Sequence, residues 1–124
     1  NFENEKINEY LLEKALDMSL LKNAVNNFPN KLDTIIGENG TKISGGQAQR
    51  IAIARAIYHE KDFLIMDEAT NELDIKTEEE IINQFVYLKR ELTIIIISHR
   101  PETLKICDKI IELKDGKFKI SDFS

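Results

Sequence analysis

Apolar residues change their spacing along this chain near residue 60. Between Glu5 and Leu21, the side chains of Ile7, Tyr10, Leu11, Ala15, Met18 and Leu21 recur near i+3, i+4 and i+7, which predicts an amphipathic helix. A second short helix is expected to run to Phe28, where Pro29 and Asn30 stop it. Thr34 to Thr41, with Gly37, Asn39 and Gly40, reads as a loop. Ser44 then stands in an N-cap position with Gln47 at capping-box spacing, followed by good helix formers from Ala48 through Tyr58. A third helix therefore starts at this serine.

Beyond residue 60 short apolar runs alternate with helical patterns, the signal for parallel strands joined by crossover helices. Phe63 to Met66, Thr93 to Ile97 and Lys109 to Leu113 are apolar on both faces, as expected of strands buried between two helix layers. Ile75 to Leu88 and Pro101 to Ile106 supply helices, and Asp115-Gly116 signals a hairpin turn into an edge strand near Phe118 to Ile120. The expected division is a helical segment over 1–59 and an α/β segment over 60–124, with the boundary near Glu60 to Asp62.

A length of 124 residues suits one modest domain. The net charge of −5, with basic residues scattered rather than striped, argues against a nucleic-acid surface. Cys107 is the single cysteine, so no internal disulfide forms, and it is expected to be a core or half-buried thiol. The longest apolar stretch, Leu92 to Ile97, is too short to cross a bilayer, and the N-terminus lacks a signal-peptide pattern. Opening on Asn1-Phe2-Glu3-Asn4 without Met, the chain is expected to be a processed or excised piece.

Three short motifs carry chemistry. A helix whose first turn is Ser44-Gly45-Gly46 presents unpaired backbone N–H groups, a hydroxyl and a positive dipole end, with no Cβ to hold an anion away, so phosphate is its natural ligand. Alone, such a turn is more often a plain loop-to-helix junction; Gln47, Gln49-Arg50 and the Ile-Ala-Ile-Ala-Arg-Ala run reverse that balance. Asp67 and Glu68 end an apolar strand, the edge at which open α/β sheets bind ligands. Two acids there are costly to desolvate unless they hold a cation or move a proton. In nucleotide hydrolases the first reaches Mg²⁺, commonly through water, and the second polarises the attacking water. His99 follows the next apolar strand, so the same edge receives it, where an imidazole can donate to a γ-phosphate.

The remaining polar groups have plainer expected uses. His59 is expected to be structural at a helix end, Asp74 is a candidate N-cap, and the mixed charges of Lys76 to Glu80 and Lys89 to Glu91 read as solvated helix faces. No G-x-x-x-x-G-K-[ST] phosphate loop occurs: Gly40 and Gly45 have its separation, but Gly46 stands where the lysine belongs.

Together these motifs resemble the nucleotide-binding domain of ATP-binding cassette (ABC) transporters over nearly the whole chain. Ile43 to Gln47 is similar to the signature L-S-G-G-Q, Phe63 to Glu68 to the Walker B strand with its catalytic glutamate, Asn71 to Asp74 to the D-loop, and His99 to the switch histidine. Phe28 to Gly40 is similar to the L-P-x-G-Y-x-T-x-V-G-E-x-G segment of exporter-type cassettes, with Lys31 for the usual Gly and Leu32 for the usual Tyr. Glu72 replaces the small residue of the D-loop.

The resemblance implies an α/β P-loop NTPase core of RecA-like type, here a partial parallel sheet with helices, preceded by the ABC helical subdomain. It implies ATP and Mg²⁺ as cofactors, Asp67 reaching Mg²⁺ through water, and Glu68 and His99 as catalytic groups. Family members bind ATP between two cassettes arranged head to tail. Ser44, Gly45, Gly46 and Gln47, with Asp74, would thus face nucleotide held by a second cassette, while the loop around Glu38 would meet a transmembrane domain on the cytoplasmic side of the membrane. The Walker A loop and Q-loop glutamine of the family have no counterpart here, so the chain by itself is expected to hydrolyse little ATP. Two other readings stand beside export: a non-hydrolytic interaction module, and an ABC-type ATPase of DNA maintenance.

Overall fold

The computed structural model describes residues 6–38, 40–67 and 75–122. The elements are helices α1 (Glu9–Met18), α2 (Lys22–Asn26), α3 (Gly45–Tyr58), α4 (Ile75–Leu88) and α5 (Pro101–Leu104), and strands β1 (Phe63–Asp67), β2 (Thr93–Ile97), β3 (Lys109–Lys114) and β4 (Lys117–Asp122). A single turn of 3-10 helix spans Lys31–Asp33.

Helix α1 is shorter than its apolar pattern. The Asn8 side chain caps it by accepting from the Leu11 N–H, and it ends at Met18 because Leu20 takes a left-handed φ of 54°. Ala15 and Leu21 reach the core, but Ile7 and Tyr10 are exposed. The Asn8 N–H also donates to the Tyr58 hydroxyl at 3.2 Å, tying the start of α1 to the end of α3.

Strands β1 and β2 pair in parallel, Leu64 opposite Ile94, Met66 opposite Ile96 and Asp67 opposite Ile97, with α4 as the intervening crossover helix. Alternation along a strand sends successive side chains to opposite faces. On one face Leu64 and Met66 join Ala15, Ile53, Ile57, Ile81, Phe85, Leu88 and Leu92 in a single core, with Ile94 and Ile96 packed against it. The other face carries Phe63, Ile65, Ile95 and Ile97, all exposed. The expectation of strands covered on both faces therefore fails among the described residues, because all the helices in this core lie on one side of the sheet.

Strands β3 and β4 form a separate antiparallel hairpin with Leu113 opposite Phe118 and Ile111 opposite Ile120. Its turn is the one that Asp115-Gly116 predicts: both residues have positive φ, 50° and 70°, the conformation of a type I′ turn.

Candidate functional site

Helix α3 begins with a reciprocal pair of hydrogen bonds. The Gln47 N–H donates to Ser44 Oγ at 3.1 Å, and the Ser44 N–H donates to Gln47 Oε1 at 2.9 Å. A helix start leaves its first N–H groups without intrahelical acceptors. The capping box takes up those of Ser44 and Gln47; among the described residues the N–H groups of Gly45 and Gly46 and the Ser44 hydroxyl proton meet no acceptor. Ser44 and Gly45 are exposed, whereas Gly46 is buried. Its fourteen residues give α3 the full dipole that favours an anion at this end.

The loop that precedes this turn is held by glycine. Gly37 has a φ of 110°, and a Cβ on Gly40 would stand 2.1 Å from the Ile35 carbonyl oxygen. The Thr41 N–H donates to the same carbonyl at 2.8 Å. This tight return leaves Glu38 exposed, with Leu32 and Ile35 at 56% and 72% exposure beside it.

On the β1–β2 sheet the parallel register carries Asp67 and the segment after Ile97 to one edge. Asp67 is exposed there, as is His99 two residues beyond Ile97. The Ser98 hydroxyl accepts from the Arg100 N–H at 3.1 Å, folding the chain around His99, and Pro101 opens α5 in the position that needs no N–H. An exposed carboxylate and an imidazole at the C-terminal edge of a parallel sheet are groups able to meet a hydrated divalent cation and a phosphate. Glu68, and Asn71 to Asp74, lie outside the described residues.

One sequence expectation is corrected. Lys76 to Glu80 is not simply a solvated face: Glu78 is buried, and Glu80 pairs with Arg50 of α3. Glu78 lies 2.8 Å from the Arg100 guanidinium, with only 9% of its side chain exposed. The signal was present, since Glu78, Ile81, Phe85 and Leu88 form one helical stripe that the apolar residues alone define only from Ile81. Lys89 to Glu91 remains at the surface, where Lys89 bridges to Asp108 at 2.7 Å and Glu91 to Lys14 at 3.2 Å. His59 caps the end of α3, with its ring edge-on to Tyr58 at 5.2 Å. Cys107 is half-buried, its thiol donating weakly to the Thr103 carbonyl, and burial, with a smaller effect of Asp108, pushes it above the ordinary thiol range.

The model of the family described as ABC transporter matches residues 2–71. The chain is 42% identical over 106 residues to the ATP-dependent lipid A-core flippase of Ralstonia nicotianae, covering 86% of the chain and 18% of the flippase. It is 40% identical over 114 residues to the flippase of that name in Pectobacterium atrosepticum, covering 92% and 20%. Against the Escherichia coli K12 flippase it is 41% identical over 112 residues, covering 90% and 19%. The chain thus spans about a fifth of the length of the curated relatives it matches.

Proposed function

The chain belongs to the ABC transporter family, with the P-loop NTPase fold that membership implies, and from that premise we propose that it is the signature-bearing part of an ATPase that drives export. The observation that carries this reading is the α3 capping box, which leaves the Gly45 and Gly46 N–H groups and the Ser44 hydroxyl for a phosphate. Ser44, Gly45, Gly46 and Gln47 close over the γ-phosphate of ATP held by a second cassette, docked head to tail. Asp67 would hold Mg²⁺, and His99 would donate to the γ-phosphate of nucleotide on its own side. Mg²⁺ offsets phosphate charge when bound; the chain's residues supply orientation and hydrogen bonds. Glu68 is assigned as the base that orients the attacking water and Asp74 as a contact to the second cassette, both from sequence.

The proposed division is a helical subdomain over 1–59 and a partial catalytic core over 60–124. Exposed Leu32, Ile35 and Glu38 form the surface offered to a transmembrane domain at the cytoplasmic face. No helix among the described residues is long and apolar enough to cross a membrane. The relatives' names motivate an amphipathic lipid as cargo. With no phosphate loop in its 124 residues, the chain alone turns over little ATP.

The test is sedimentation of the chain with a cassette that carries its own phosphate loop. A complex that forms with ATP and not without it is expected. Gly45→Asp should abolish it, because a carboxylate suits a helix N-terminus but repels phosphate. Failure of the unsubstituted chain to associate with ATP present would sink the proposal.

A further inference from the structure

Two arginines outside the phosphate-facing residues grip the same helix. Arg50 lies one helical turn beyond Gly46 and Gln47, on their face of α3, and pairs with Glu80 in α4. Arg100 follows His99 directly and pairs with Glu78, also in α4. Residues two apart on a helix point about 200° away from each other, so α4 is held near its start from two sides. Glu79, between the two, is exposed.

These are not ordinary surface pairs. The Arg50 side chain is 15% exposed and that of Glu78 is 9% exposed. Such partly buried pairs are weak sources of stability compared with apolar packing, but removing one partner strands a charge. They penalise displacement of α4 more than they strengthen the fold. We infer that Arg50 and Arg100 are positioning residues: through Glu80 and Glu78 they tie the Ser44–Gln47 turn and the segment carrying His99 to the first turns of α4, so that a nucleotide seated at one half-site is registered at the other. The tie rests on the structure; its role between nucleotides rests on the function proposed above.

Amide hydrogen exchange on the 124-residue chain reads the tie without any nucleotide. Arg50→Gln and Glu80→Gln should speed exchange over 97–100 by about threefold to tenfold, and Arg100→Gln should do the same over 44–49. Glu79→Gln should change neither, and the swap of Arg50→Glu with Glu80→Arg should restore the original rates. Glu80 is 42% exposed, so Glu80→Gln tests the same tie through a partner whose loss leaves the fold intact. Effects confined to the substituted element, or an equal effect of Glu79→Gln, would overturn the tie. A second arm measures ATP-dependent association with a phosphate-loop cassette, which Arg100→Gln should weaken about tenfold although Arg100 lies outside the contacting turn. If that association is unaffected, the registering role falls. If the unsubstituted chain never associates, the site reading and the registering role fall together, and the exchange arm still decides the tie.

Discussion

The parallel pair β1–β2 and the hairpin β3–β4 are built from similar aliphatic residues, but are stabilised by different means. In the first, Leu64 and Met66 lie in the core with Ile81 and Phe85. In the second, Ile111, Leu113, Phe118 and Ile120 share one face and are all more than half exposed. The first sheet depends on what packs against it. The hairpin depends on its turn and its cross-strand pairs, which are worth only tenths of a kcal/mol each. Composition says what a strand is able to bury; neighbours decide whether it does.

The largest expected contrast is between two phenylalanines. Phe85 is 1% exposed and Phe118 is 70% exposed. Phe85→Ala should cost about 3–5 kcal/mol in urea unfolding, and Phe118→Ala no more than about 0.5 kcal/mol. Similar losses at both sites would mean that the hairpin face is covered in solution. A smaller effect is expected at the turn: Gly116→Ala, at φ 70°, should cost about 1 kcal/mol. The loss should appear as faster amide exchange over 109–122 with β1–β2 unchanged, and a loss spread over both sheets would break the separation drawn here.

The smallest effect concerns the segment between them. Burial raises the Cys107 thiol above its reference value of 9.0. Because the folded value is the higher one, its contribution to stability is fully present below pH 9 and lost as pH rises through the folded value. Alkylation of the native chain should follow a pH profile shifted upward from that of the urea-unfolded chain. Coincident profiles would mean that the Cys107 thiol is open to water like the hairpin face.

Much of this was legible in the sequence where a local rule decides the structure. The Ser44…Gln47 spacing predicts the capping box, and Asp115-Gly116 predicts a turn whose two residues take positive φ. The edge shared by Asp67 and His99 follows from the parallel alternation of elements. What escaped is what depends on distant partners. Glu78 reads as solvated until Arg100, far along the chain, is brought beside it. Phe63, Ile65, Ile95 and Ile97 read as buried, yet among the described residues no helix of the core reaches their face. The exposed Ile7 and Tyr10 failed for a related reason, since α1 begins only at Glu9 and its packing against α3 engages a narrower stripe than the periodicity suggests.

The pairing of Leu64 with Ile94 and Met66 with Ile96 has a consequence for the end of the ladder. A slip of one residue would turn Leu64 and Met66 out to water and Phe63 and Ile65 inward. The oily interior is thus the ruler by which the carboxylate of Asp67 is measured off against the imidazole of His99. Its graduations are methyl groups, and the core itself rejects an error of one division.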